Sequence, residues 1–151
     1  MCKICSYGFS ILLCKYKMIS WMFSPKVEKV NFETVQYAIS IQVADFYIIS
    51  TLSIQDQECL IRGTLTAERE ESVLNSMLHN SNIPDKKIIV FGKNSQDETP
   101  YRKATQLKEL GIKCVYVYTG GMFEWLLLQD VYGAKEFPTT KPLIDILKYK
   151  S

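Results

Sequence analysis

Imidazole and thiol, the side chains that many catalytic and metal sites draw on, are scarce in this sequence. One histidine, His79, and five cysteines, Cys2, Cys5, Cys14, Cys59 and Cys114, are spread over 151 residues. An odd and sparse cysteine set is no disulfide framework. It suits a reducing compartment and points to a cytoplasmic protein. Cys2 and Cys5 stand in a CxxC spacing, but zinc requires a second pair of ligands nearby, and only Cys14 and the distant His79 are on offer. No metal and no other cofactor is therefore expected. Long apolar runs are missing as well. The uncharged run Ile4–Cys14 is eleven residues, against the roughly 20 needed to cross a bilayer. Nor does one sign of charge dominate. The net charge is +2, and residues 1–25 hold Lys3, Lys15 and Lys17 with no acid, which leaves −1 for the remainder. A body without basic excess has nothing to track a phosphate backbone, which excludes nucleic acid as a partner.

What is present has the balance of a globular domain, 47% hydrophobic and 23% charged, where a disordered chain would be poorer in apolar residues. The length suits one domain and is short for two. Ser24-Pro25 is the natural boundary, because proline punctuates and the charge pattern changes there. It separates an N-terminal extension, residues 1–25, from a domain over residues 26–150. Residues 1–23 have no small-x-small cleavage site to make them a signal peptide. They read as an irregular extension, as an interfacial anchor of apolar residues and lysines, or as a segment packed on the domain. The first reading is preferred, and membrane contact is not favoured.

From Lys26 onward the pattern alternates strand and helix. Lys26–Val30 suits an edge strand. Asn31 can cap a helix over Phe32–Ile41, with Glu33 near its positive end. Phe46–Ile49, Ile88–Phe91 and Val115–Tyr118 are continuous apolar, β-rich runs, as expected of strands buried on both faces. Thr66 starts a helix whose Val73, Leu74, Met77 and Leu78 fall on one core face. Thr99 and Pro100 make a helix start, a capping hydroxyl followed by proline, and Gly111 suits its left-handed end. Gly120-Gly121 turns into Met122–Tyr132, which is apolar nearly all round and so should be deeply buried. Gly133 stops it, and Leu143–Leu147 predicts a last short helix. Alternating strands and helices imply an α/β fold, a mostly parallel sheet with helices on both faces. Ligands of such sheets sit beyond the carboxyl ends of the strands. The loops Ser50–Asp56, Gly92–Glu98 and Thr119–Gly121 should therefore share one rim.

Three pieces carry a family resemblance: a strand running into Thr119-Gly120-Gly121 with Trp125 four residues on, the turn Ile61-Arg62-Gly63-Thr64-Leu65, and Ile88-Ile89-Val90-Phe91-Gly92 followed by a loop and a helix ending Leu107-Lys108-Glu109-Leu110-Gly111. In order and spacing they resemble the rhodanese-like family, which also includes the catalytic domains of cell-cycle dual-specificity phosphatases. The match covers about residues 27–140. The resemblance implies a rhodanese-like fold and a catalytic cysteine at the mouth of the strand. Gly92 stands there instead. The loop Gly92, Lys93, Asn94, Ser95, Gln96, Asp97, Glu98 contains no thiolate to accept and pass on sulfur. Ser95 is its only hydroxyl, and His79 belongs to another helix, so no base serves it. The family's aspartate and arginine after the first core strand fall on Ser50 and Leu52. The loop carries Lys93 against Asp97 and Glu98, an anion-repelling balance, and those acids would occupy the amides of the following helix. The loop also looks about two residues longer than in sulfurtransferases, as in the phosphatase branch.

Catalytic residues are therefore expected to be none. Gly92–Glu98 is expected to be a vestigial active-site loop, with Ser50, Thr119, Gly120 and Gly121 as a supporting rim, in a pseudoenzyme that binds a protein partner of unknown identity. Two other readings remain. One is a sulfurtransferase using a non-standard cysteine, Cys59 or Cys114; the other is a membrane-tethered adaptor. Against the first, Asp56 and Glu58 would raise the thiol pKa of Cys59, and Cys114 suits a small core residue. Trp125 reads as core, and Gly120-Gly121 as a tight turn with positive φ.

Overall fold

A computed structural model of the chain describes residues 26–41, 45–79 and 86–150. The extension, residues 1–25, lies outside them. Four parallel strands form one sheet: β1 (Glu28–Val30), β2 (Phe46–Ser50), β3 (Lys87–Phe91) and β4 (Val115–Tyr118). Their order in space is β1-β4-β3-β2. Between them run α1 (Phe32–Ser40), a 3₁₀ turn (Ile54–Asp56), α2 (Ala67–His79) and α3 (Thr99–Glu109), with α4 (Gly121–Tyr132) following β4. This is the α/β architecture expected from the sequence, a parallel sheet with helices between its strands.

The apolar runs become central strands because both faces of the sheet are covered. Side chains alternate along each strand. Ile89 and Phe91 join Val35, Trp125 and Leu126 under α1 and α4, while Ile88 and Val90 join Ala104 and Leu107 under α3. Asn31 caps α1 as its side chain predicts, its Oδ1 accepting the Thr34 amide at 3.3 Å. Gly111, at φ +103, closes the turn after α3, and Gly133, at φ +95, ends α4.

Three expectations are corrected. The face of α2 is core only in part: Val73, Leu74 and Met77 pack on the cluster while remaining partly exposed, and Leu78 is exposed. α4 is not buried all round, because among the described residues no further layer covers its outer side. Leu127, Val131 and Tyr132 are exposed while Met122, Trp125 and Leu126 are fully buried. Leu143–Leu147 forms no helix. The Asp145 carboxylate accepts the Leu147 amide at 3.1 Å, and the Lys148 amide bonds back to the Asp145 carbonyl at 3.3 Å. These local bonds turn the chain before a helix can propagate, and Leu143 and Ile146 pack against the core from the turns.

Register places the site. Ser50 pairs with Phe91, and Phe91 and Val30 both pair with Tyr118. All four strands thus end at one level. Among the described residues no helix is long and apolar enough to cross a membrane.

Candidate functional site

The three loops expected on one rim do meet there. The Thr51 amide donates to the Phe91 carbonyl at 2.9 Å, and the Thr51 and Thr99 hydroxyls lie 2.7 Å apart. Lys93 Nζ reaches Asp56 at 3.3 Å. The Ser53 hydroxyl and this ammonium hold the Asp56 carboxyl below the usual carboxylate range. Ser50 Oγ accepts the Leu52 amide at 3.2 Å.

The loop after β3 is organised by Asp97. One carboxylate oxygen accepts the Lys93 amide at 2.9 Å; the other accepts the Thr99 amide at 2.9 Å and the Thr99 hydroxyl at 2.7 Å. Partial burial pushes the Asp97 carboxyl up, but these hydrogen bonds and the Lys93 charge outweigh it and leave its pKa lowered. Asp97 thus does the capping expected of Thr99, which is itself the first residue of α3. Of the two acids expected to fill the helix amides, Asp97 does so. Glu98 stands at the N-cap position with no side-chain cap bond.

Gly92 is fully buried against this carboxylate. A Cβ placed there would meet Asp97 Oδ2 at 2.3 Å and Pro100 Cγ at 2.8 Å. Space for a side chain at the strand mouth is therefore already taken. The loop is also joined to the start of α4: the Met122 and Phe123 amides donate to the Gly92 and Lys93 carbonyls, each at 2.9 Å. Gly121 makes this approach feasible. Its φ is +63, and a Cβ would lie 2.7 Å from the Gly92 oxygen. Gly120 is different. Its φ is −70, so the positive φ expected of the pair resides in Gly121 alone. The space above Gly120 is taken by Glu124, whose carboxylate accepts the Tyr118 hydroxyl at 2.7 Å. Burial, then this carboxylate, raises the Tyr118 pKa. Thr119 links the end of β4 to that turn and is half-buried.

The end of the chain closes over the same loop. Asn94 Nδ2 donates to the carbonyls of Tyr149, at 3.1 Å, and Lys150, at 3.2 Å, while its oxygen accepts the Gln96 amide at 2.9 Å. The Tyr149 ring is fully buried, and its hydroxyl donates to the Asp56 carbonyl at 2.7 Å. Burial pushes this phenol up to about 12. Nothing local in the sequence signals this contact, which joins residues 93 positions apart. Ser95 and Gln96 remain exposed at the loop tip.

Neither cysteine among the described residues, Cys59 or Cys114, serves the loop. Cys59 is fully buried and donates its thiol hydrogen to the Lys141 carbonyl at 3.1 Å. Burial comes first among the causes that raise its pKa, with Glu58 adding to it. Cys114 is half-buried at the start of β4, the end of the strand remote from the rim. His79 is the last residue of α2 and makes no side-chain hydrogen bond to the loop. Among the described residues no three His, Cys, Asp or Glu side chains cluster so as to hold a metal ion.

Comparison with known proteins gives the same picture of the fold. The rhodanese-like domain family model matches residues 44–128, over half the chain. The solution structure of the rhodanese-like domain of the Alr3790 protein from Anabaena sp. is similar at TM-score 0.52 and 17% identity, over 80% of this chain and 83% of that one. A full-length protein from Lactobacillus plantarum is similar at TM-score 0.55 and 12% identity, over 87% and 99%. A protein from Rhodopseudomonas palustris, described as a possible tyrosine phosphatase, is similar at TM-score 0.50 and 16% identity, over 88% and 97%. At such identities the likeness is one of fold. No curated protein matches the chain.

Proposed function

This chain belongs to the rhodanese-like domain family, and from that premise we propose that it is a catalytically inactive member that serves as a protein-binding or regulatory module. One observation carries the proposal. Where the family resemblance calls for a thiolate, Gly92 offers no nucleophilic atom, and Asp97 occupies the Lys93 amide and the start of α3 that a substrate anion would need. The charges around it agree. Lys93 is already paired with Asp56, so the loop has no unpaired cation to attract thiosulfate or phosphate. The rival reading, sulfur transfer through another thiol, meets a buried Cys59 whose pKa is raised and a Cys114 at the far end of its strand.

Binding is supported by what the rim exposes. Ser95, Gln96 and Glu98 are open to solvent, and Ile54 in the 3₁₀ turn is 90% exposed on the same edge. Polar groups around an apolar side chain make a recognition surface without chemistry.

A thiosulfate-to-cyanide transfer assay tests the reading. Purified protein should release no thiocyanate above the level of a variant with every cysteine replaced by alanine. Protein-dependent turnover would overturn it. Gly92→Cys alone should form no persulfide by mass spectrometry, because Asp97 lies where the new Cβ must go.

A further inference from the structure

Beside the sealed loop lies an open cleft of about 360 Å³ between the end of β2 and the outer face of α3, lined by Ser50, Thr51, Thr99, Arg102, Lys103 and Glu70 among others. We propose that this cleft receives a single carboxylate, an aspartate or glutamate side chain of a partner protein, with Arg102 as its principal contact. The proposal deepens the binding-module reading and rests on it.

The cations around the rim decide the matter. Lys93 is paired with Asp56 at 3.3 Å, Lys103 with Glu70 at 2.7 Å and Lys148 with Glu58 at 3.2 Å. Arg102 also lines the cleft, yet among the described residues it has no carboxylate partner and no side-chain hydrogen bond. Its planar fork of donors suits a carboxylate held by two parallel hydrogen bonds. The floor is fixed. The Thr51 and Thr99 hydroxyls are 2.7 Å apart and Thr99 is held by Asp97, so their protons are committed within the wall. Ser50 Oγ accepts the Leu52 amide and keeps its own proton to donate. Gln106 lies one helical turn beyond Arg102 and adds an amide donor to the lining.

Charge and size choose the ligand. Arg102 and Lys103 against Glu70 leave one net positive charge in the lining. Asp97 stands behind Thr99 and opposes any second negative charge. A carboxylate matches this balance, whereas a phosphate brings about −1.5 to −2 at neutral pH. The volume lies near the lower end of the roughly 300–1,000 Å³ of small-molecule sites and suits one side chain, not a cofactor.

Amide NMR spectra of the full isotope-labelled chain, titrated with a capped Gly-Glu-Gly peptide, its Gly-Gln-Gly counterpart and sodium acetate, test this. With the glutamate peptide, shifts should be confined to Ser50–Leu52 and Thr99–Gln106. The glutamine peptide should bind about tenfold more weakly, and Arg102→Gln should remove the difference while Arg62→Gln, outside the cleft, preserves it. Shifts scattered over the surface lysines, or equal binding of the two peptides, would overturn the proposal. Acetate binding as tightly as the glutamate peptide would overturn its assignment to a protein partner. Sulfur transfer in the thiocyanate assay would sink the binding-module reading without touching these shifts, so the two failures are distinguishable.

Discussion

Asp97 makes three hydrogen bonds with one side chain, bridging the start of its loop and the start of α3. Its lowered pKa sets a direction for pH dependence. A carboxyl whose folded pKa lies below its unfolded value of about 3.9 stabilises the fold at every pH above that value. The contribution is lost as pH falls through the folded pKa. We therefore expect Asp97→Asn to destabilise the protein by about 1–2 kcal/mol at pH 7, because an amide NH₂ would face the Lys93 amide where an acceptor is needed. The deficit relative to the unchanged chain should shrink below about pH 4. Denaturant unfolding of both proteins between pH 3 and 7 measures it. A deficit constant across that range would mean the carboxylate charge contributes nothing there. The presence of an acid near the amides of α3 was legible in the sequence. Which acid, and that it would also bind the amide at the start of the loop, was not, because that depends on how tightly the loop folds back over Gly92.

The strands were the most legible elements, because continuous apolar runs identify strands covered on both faces without reference to anything distant in the chain. The helices were legible as helices but less so as packed bodies. The apolar character of α4 leaves open whether a second layer lies outside it, and Val131 is in fact 72% exposed. The Leu143–Leu147 spacing looked helical, yet the Asp145 side chain and the docking of Tyr149 on the segment Asp56–Cys59 hold the chain in turns. At this scale the junction between α4 and the loop is the most exacting contact. Gly121→Ala would place a Cβ within 2.8 Å of three backbone atoms of residues 92–94 while holding a left-handed φ. We expect a loss of roughly 2–4 kcal/mol. Gly120→Ala meets the Glu124 side chain, down to its Cβ at 2.7 Å, rather than three backbone atoms, and has an ordinary φ, so its cost should be smaller. Thermal unfolding of the two variants side by side checks the order. Equal effects would show that the loop gives way more readily than the contacts imply.

At the scale of the whole molecule, the described residues form a four-stranded parallel sheet with a core on each face and a segment, residues 143–150, that wraps the rim. Every described element lies within residues 26–150. A chain starting at Ser24 should unfold within about 0.5 kcal/mol of the full protein, as expected when no specific contact is removed. A larger loss would place residues 1–23 against the domain. By contrast, the end of the chain is integral. Tyr149 fills a fully buried position, and its backbone carbonyl and that of Lys150 hold Asn94. This has a consequence for biosynthesis. At about 5–20 residues per second, a nascent chain makes its Gly92 loop roughly 3–11 seconds before Tyr149, so the rim cannot be latched until that tyrosine has been synthesised.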